Sequence, residues 1–136
     1  MLIADDEPVI ADTLRTILRL NGFEAVATSS GQQAVDAASE CHPDIFLTDV
    51  VMPDIDGLEA AIKVCAMNPF CRVLLLSAVA EIRDLEFEAR KAGHSFEVIE
   101  KPIHPTDLVQ ILRTPRSKAK KDPLGQSNPA SRVETE

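Results

Sequence analysis

Five polar residues that each follow a short apolar segment are of types that could together accept a phosphoryl group: Asp5, Asp6, Asp49, Ser77 and Lys101. Three carboxylates that converge repel one another unless a cation lies among them, and Mg²⁺ prefers oxygen ligands of this kind. A carboxylate can act as a nucleophile at neutral pH if the charge of the incoming phosphoryl group is neutralised. Mg²⁺ and Lys101 could do so, and Ser77 could hydrogen-bond a phosphoryl oxygen. The residue types therefore predict a phosphoryl-accepting site with a bound cation.

Each of these residues, taken singly, has a simpler structural interpretation. Asp5 or Asp6 could cap a helix, and Asp49 could be an ordinary loop acid. Ser77 could belong to a turn, and Lys101 could be a surface lysine whose stem lies on apolar neighbours. Together they are harder to explain by separate structural roles, because these residue types would then have to occur by coincidence at the ends of four strands.

The elements that must position these residues form an alternating pattern. Apolar segments at 1–4, 23–27, 45–48, 73–76 and 98–99 predict strands, and amphipathic segments at 8–20, 31–40, 58–67, 81–92 and 105–112 predict helices. This alternation is typical of an open, doubly wound α/β fold with a five-stranded parallel sheet and helices on both faces. Ligands of such sheets bind at the carboxyl ends of the strands, which is where all five polar residues fall.

Composition and charge divide the chain into one domain at 1–113 and a tail at 114–136. The domain has 9 basic and 19 acidic side chains, a net charge of −10, whereas the tail has 5 basic and 3 acidic ones. The acidic balance argues against direct nucleic-acid binding by the domain. The tail is basic, contains proline and has few bulky apolar residues, so we expect it to be disordered.

The remaining sequence features favour a cytoplasmic protein. No apolar run is long enough to span a membrane, and the N-terminus does not resemble a signal peptide. Cys41, Cys65 and Cys71 have no paired spacing, and their odd number suits reduced thiols better than disulfides.

The Asp54-Ile55-Asp56-Gly57 segment is open to other interpretations. A calcium loop is excluded because Met52 and Lys63 would occupy its first and twelfth ligand positions. A phosphatase that uses the two aspartates is disfavoured, because Met52 and Pro53 separate them from the preceding strand. The simpler prediction is a turn in which Asp54 or Asp56 caps the next helix.

Four motifs in this order resemble the receiver domain of two-component response regulators. They are Ile-Ala-Asp5-Asp6-Glu-Pro, Asp49-Val-Val-Met-Pro-Asp-Ile-Asp-Gly, Leu-Leu-Leu-Ser77-Ala and Glu-Lys101-Pro102. The resemblance covers residues 1–113 and implies a flavodoxin-like fold with strand order 2-1-3-4-5. It also implies Mg²⁺ dependence and phosphorylation by a histidine kinase or phosphotransfer protein. The expected outcome is a signal passed to an unknown protein target, with a possible phosphorylation-dependent homodimer and no turnover of an external substrate.

The resemblance assigns a role to each matching residue. Asp49 would be the phosphoacceptor, and Asp6 would bind Mg²⁺ directly while Asp5 acts through water. The backbone carbonyl of Val51 would be a further Mg²⁺ ligand. In the same comparison, Ser77 would be the switch hydroxyl and Lys101 the lysine that pairs with the phosphoryl group.

Three departures from the family pattern bear on how a signal would be read. The segment from Gly93 to Lys101 is one residue longer than usual, so the aromatic switch position falls on Val98, with Phe96 as the alternative. The first strand is short, which suggests a recorded start inside the natural strand. The 23 residues after Arg113 are too few and too polar for a DNA-binding output module, so we expect a stand-alone receiver. The departures leave a second hypothesis open, a receiver-fold binding scaffold that phosphate does not switch.

Overall fold

A parallel sheet of five strands organises residues 1–114, which are the part of the chain described by our computed structural model. The strands are β1 (Leu2–Ala4), β2 (Val26–Thr28), β3 (Ile45–Asp49), β4 (Arg72–Ala78) and β5 (Glu97–Lys101). The α-helices are α1 (Pro8–Leu20), α2 (Gly31–Cys41), α3 (Gly57–Met67), α4 (Ile82–Lys91) and α5 (Pro105–Arg113), and a short 3₁₀ turn at Val79–Glu81 precedes α4. The predicted tail, from residue 115 onward, lies outside the described residues.

The strands lie in the order β2-β1-β3-β4-β5, and every neighbouring pair is parallel. This confirms the predicted flavodoxin-like, doubly wound arrangement. The order reverses between β1 and β3, so the connections after these two strands leave on opposite sides and open a crevice at their carboxyl ends. The sheet therefore places the ends of β1 and β3 side by side.

Alternate side chains of the central strands point into two apolar layers on opposite faces of the sheet. Leu2, Phe46, Val73 and Leu75 belong to one layer, with α2, α3 and Leu85 of α4. The other layer holds Ile3, Leu47, Leu74 and Leu76, with Leu18 of α1 and Leu108 of α5. Burial of both strand faces explains why β4 reads as a continuous apolar run.

The boundaries of several elements differ from those predicted, among them β2, β4, β5 and α4. Strand β2 begins at Val26 rather than at residue 23, because the Phe23 N–H still bonds to the Leu18 carbonyl in the turn that ends α1. Strand β4 is longer than 73–76, and β5 is longer than 98–99, since their pairing extends to Ala78 and Lys101. Because β5 contains charged residues at both ends, its apolar residues alone predict a strand that is too short. Helix α4 begins at Ile82 and is one residue shorter than predicted at each end.

Arg72, at the start of β4, joins three elements at the amino edge of the sheet. Its guanidinium makes a two-pronged ion pair with Glu97 of β5, with N–O distances of 2.7 and 2.9 Å. It also donates to the carbonyls of Ile111, Leu112 and Thr114 at the C-terminal end of α5. The carboxylate of Glu97 raises the pKa of Arg72, and both side chains are nearly buried. No local feature of the sequence indicates this contact, since its partners lie 25 or more residues away.

Removing the Arg72 side chain should destabilise the fold. Arg72→Ala leaves the Glu97 carboxylate without its partner, and we expect the free energy of unfolding to fall by about 3 kcal/mol. Arg72→Lys keeps the charge but loses the planar fork, so its loss should be intermediate. Chemical denaturation followed by far-UV circular dichroism measures both variants. If Arg72→Ala stays within about 0.5 kcal/mol of the wild type, the ion pair does not hold these elements together.

Candidate functional site

Three carboxylates converge at the carboxyl edge of the sheet. Asp5 and Asp6 directly follow β1, and Asp49 is the last residue of β3, the neighbouring strand. One carboxylate oxygen from each lies within 4.8 Å of the others. Asp5 and Asp49 are buried, whereas Asp6 is exposed. The structure thus brings together the three acids that the sequence placed at strand ends.

The cluster makes ionisation of Asp5 unfavourable. Burial raises the pKa of Asp5, and the charges of Asp49 and Asp6 raise it further. A hydrogen bond of 2.9 Å from the Glu7 N–H lowers the pKa of Asp5, as does the charge of Lys101. A bound cation would offset the part of this rise in pKa that comes from the charges of Asp49 and Asp6. The donor set, three carboxylates with one exposed to solvent, fits Mg²⁺, which binds few carboxylates and keeps several waters.

Lys101 reaches the phosphoacceptor candidate from the far side of β4. It is the last residue of β5 and pairs with Ala78 in the sheet, yet its Nζ donates to Oδ1 of Asp49 at 2.9 Å. The Asp49 side chain is 10% exposed and that of Lys101 is 41% exposed, so the ammonium group contacts both the site and the solvent. One oxygen of Asp49 is therefore paired with a cation supplied by the chain.

Ser77 lies on β4, between the strands that carry Asp49 and Lys101. Its side chain is buried, and its hydroxyl donates to the carbonyl of Ala78 at 3.2 Å. The hydroxyl is thus engaged with its own strand in this conformation. A phosphoryl oxygen would have to compete for it.

The loop from β3 to α3 follows Asp49 and carries Val51, a residue that is 63% exposed. Its start is fixed by hydrogen bonds from the Val50 N–H to the Leu76 carbonyl and from the Gly57 N–H to the Val50 carbonyl, at 3.2 and 2.7 Å. A Cβ atom at Gly57 would lie 2.2 Å from the backbone oxygen of Asp49, so no larger residue fits without moving the strand end. The loop therefore turns tightly beneath the site.

The other end of this loop revealed a contact that the sequence did not predict. Asp56 caps α3 by accepting from the Glu59 N–H at 2.8 Å. Asp54 does not cap α3; it accepts from the Gly31 and Gln32 N–H groups at the start of α2, at 3.2 and 2.8 Å. The hydrogen bond from the Gln32 N–H is the largest cause of a lowered Asp54 pKa, which is about 2, and the bond from the Gly31 N–H lowers it further. Its partners lie more than 20 residues away, so only the folded structure reveals the contact.

The two candidate switch residues, Val98 in β5 and Phe96 just before it, face the same side of the sheet. Val98 is half-buried and packs on the apolar layer that contains Leu85. Phe96, two residues earlier, packs on the same layer and stacks on the His94 ring, with centroids 4.8 Å apart. An aliphatic side chain thus occupies the predicted switch position, and the nearby aromatic ring is held by a neighbour.

The comparisons with known proteins agree with this geometry. The family model described as response regulator receiver domain matches residues 1–113. The probable transcriptional regulatory protein TcrX of Mycobacterium tuberculosis is 33% identical over 83% of this chain and 47% of its own length. The chemotaxis protein CheY of Thermotoga maritima is 30% identical over 82% of this chain and 92% of its own. A solved CheY-like receiver domain protein from Methanospirillum hungatei has the same fold, with a TM-score of 0.74 at 24% identity over 82% of this chain and 87% of its own.

The fold and the site define a flavodoxin-like domain with an acidic cluster and a paired lysine at the carboxyl edge of its sheet. This chain belongs to the response-regulator receiver domain family, whose members are signalling domains of two-component systems. It spans about half the length of TcrX and about a quarter of AtoC of Escherichia coli, another relative. Within residues 1–114, no helix is long and apolar enough to cross a membrane.

The raised pKa of Asp5 predicts how stability changes with pH. A carboxyl group with a raised folded-state pKa favours folding when protonated, and this contribution is lost as pH rises through that pKa. Asp5→Asn, whose amide oxygen can still accept from Glu7, should therefore be more stable than the wild type at pH 7 in the presence of a chelator. The difference should shrink as the pH falls below the ordinary range of an aspartate. Thermal unfolding across this pH range measures it, and a variant less stable at pH 7 would contradict the electrostatic account.

Proposed function

We propose that this chain is a phosphorylation-driven switch that accepts a phosphoryl group on Asp49 from a histidine kinase or phosphotransfer protein, with Mg²⁺ bound. One observation carries the proposal: Asp5, Asp6 and Asp49 converge within 4.8 Å, and the Lys101 ammonium lies 2.9 Å from Asp49. No simple structural role explains three converging acids, because their repulsion destabilises the unliganded domain.

In the proposed transfer, Asp49 forms the new bond. A carboxylate oxygen attacks phosphorus, the bond between phosphorus and the partner's histidine nitrogen breaks, and the imidazole keeps the bonding electron pair and takes up a proton. Asp6, Asp49 and the Val51 carbonyl would hold Mg²⁺, with Asp5 acting through water. The bound ion would supply charge neutralisation for the phosphoryl oxygens. Lys101 would move from the Asp49 carboxylate to a phosphoryl oxygen, since both positions are within reach of one flexible side chain.

The proposed switch begins at Ser77. Its hydroxyl would leave the Ala78 carbonyl for a phosphoryl oxygen, which shifts the end of β4 and the turn that leads into α4. This would favour a second conformation of the face formed by α4, β5 and α5. Phe87 of α4 is 56% exposed, with the Lys91 ammonium 5.4 Å from its ring centre, and offers this face an apolar contact. We propose a protein target, or a second copy of the chain, because the acidic domain repels nucleic acid.

The competing function is a binding scaffold that phosphate does not switch. It is favoured by one observation, the aliphatic Val98 at the switch position beside a Phe96 ring already stacked on His94. Once a partner protein has been isolated, its affinity with and without beryllofluoride, which mimics the phosphoryl group, separates the two functions. Equal affinities would favour the scaffold.

The phosphoacceptor role is tested by the intact mass of the chain after incubation with acetyl phosphate and Mg²⁺. We expect one phosphoryl adduct on the wild type, no adduct on Asp49→Ala, and strongly reduced formation when Mg²⁺ is chelated. Asp84→Ala, which removes an exposed acid of α4, is the matched control and should be phosphorylated like the wild type. An adduct that survives in Asp49→Ala would refute the assignment. Turnover of a generic phosphate ester by that variant would instead support the phosphatase interpretation of Asp54 and Asp56.

The lifetime of the phosphoryl group should be long. Val51 and Val79 follow Asp49 and Ser77 by two residues, and each is 63% exposed beside the site. Their apolar side chains offer an attacking water no hydrogen bond, so self-dephosphorylation should be slow. Replacing either by Asn should speed the loss severalfold, measured by the decay of the adduct after the phosphodonor is removed. A wild-type half-life of a few seconds would count against this expectation.

A further inference from the structure

The loop between β3 and α3 is anchored to a second helix, α2, through the carboxylate of Asp54. Asp54 satisfies the Gly31 and Gln32 N–H groups, and Ser30 satisfies the Gln33 N–H at 3.0 Å. The next N–H of α2, that of Ala34, bonds to the Ser30 carbonyl within the helix. The first turn of α2 thus has a hydrogen-bond acceptor for each of these groups, two of them supplied by the loop beside the phosphoryl site.

The contact is close as well as hydrogen-bonded. Gly31 is buried under Ile55, and a Cβ atom at this glycine would lie 2.5 Å from the Ile55 side chain and 2.6 Å from its backbone oxygen. Ile55 itself packs on the apolar layer that α2 and α3 share. The loop therefore lies directly on the start of α2, with no room for a side chain between them.

The loop is consequently fixed at both ends. Hydrogen bonds to Val50 hold the end that adjoins Asp49, and Asp54 holds the end that adjoins α3. Val51, whose carbonyl is the proposed backbone ligand of Mg²⁺, lies between these two anchors. A backbone ligand cannot be reoriented by a side-chain rotamer, so its direction depends on how the loop is held.

We propose that Asp54 is a positioning residue for the phosphoryl site: by binding the start of α2, it holds the β3–α3 loop in the conformation that presents the Val51 carbonyl to Mg²⁺. This inference rests on the proposed function. It also gives α2 a mechanical connection to the site, although α2 contributes no side chain to the acidic cluster.

The test compares Mg²⁺ affinity in three variants of the full chain, by isothermal titration calorimetry with the metal alone. Asp54→Ala should weaken Mg²⁺ binding about tenfold, the effect typical of losing a group that orients a ligand. Asp54→Asn keeps an acceptor oxygen for one of the two N–H groups and should recover part of the affinity. Ser30→Ala is the matched control, because it removes a hydrogen bond from the same turn of α2 without touching the loop. It should lower thermal stability comparably and bind Mg²⁺ like the wild type.

A second measurement does not depend on the metal. Amide hydrogen exchange of the metal-free chain should be faster at residues 51, 52, 54 and 55 in Asp54→Ala than in the wild type, and unchanged there in Ser30→Ala. Wild-type affinity in Asp54→Ala, or an equal loss of affinity in Ser30→Ala, would overturn the positioning role and leave the proposed function intact. A wild-type chain with no saturable Mg²⁺ binding would contradict the proposed function itself.

Discussion

The repulsion among Asp5, Asp6 and Asp49 is the constraint on which the rest of the domain depends. Three carboxylates within a few ångströms, two of them buried, favour separation or protonation. The chain offsets part of this cost with one cation, the Lys101 ammonium, which takes one oxygen of Asp49. What remains is a cluster with a net negative charge, whose three carboxylates the sheet keeps from moving apart.

The framework resists that repulsion at both edges of the sheet. At the carboxyl edge, the tight turn at Gly57 fixes the strand end that carries Asp49, and Asp54 ties the following loop to α2. At the amino edge, Arg72 joins β4 and β5 to the end of α5. β5 also carries Lys101 at its other end, so the ion pair of Arg72 helps to hold in place the strand that supplies the neutralising lysine. Stability and chemistry are thus linked through the same strands.

Much of this arrangement could be predicted from the sequence, because it follows from periodicity and topology. Apolar segments that alternate with amphipathic ones specify the doubly wound sheet, and parallel strands bring their carboxyl ends to one edge, which suffices to group Asp5, Asp49 and Lys101.

The features that the sequence does not predict depend on contacts between distant segments or on backbone geometry. The turn motif predicts that Asp54 or Asp56 caps α3, and Asp56 does so, but the partners of Asp54 on α2 have no signature near it in the sequence. Nothing near Arg72 in the sequence indicates its contacts, because its partners on β5 and at the end of α5 lie 25 or more residues away. The predicted start of β2 lies too early, because the turn after α1 extends to Phe23 and the apolar residues of the segment do not reveal that turn.

A crystal structure of the chain with Mg²⁺ and beryllofluoride tests the central claim most directly, since it shows whether the acidic cluster works as a phosphoryl site. The account predicts beryllium on an oxygen of Asp49, Mg²⁺ bound by Asp6, Asp49 and the Val51 carbonyl, and the Lys101 ammonium on a fluoride. It also predicts that the Ser77 hydroxyl has left the Ala78 carbonyl for another fluoride. Beryllofluoride bound at Asp54 or Asp56, or a saturated crystal in which Asp49 carries neither group, would contradict it.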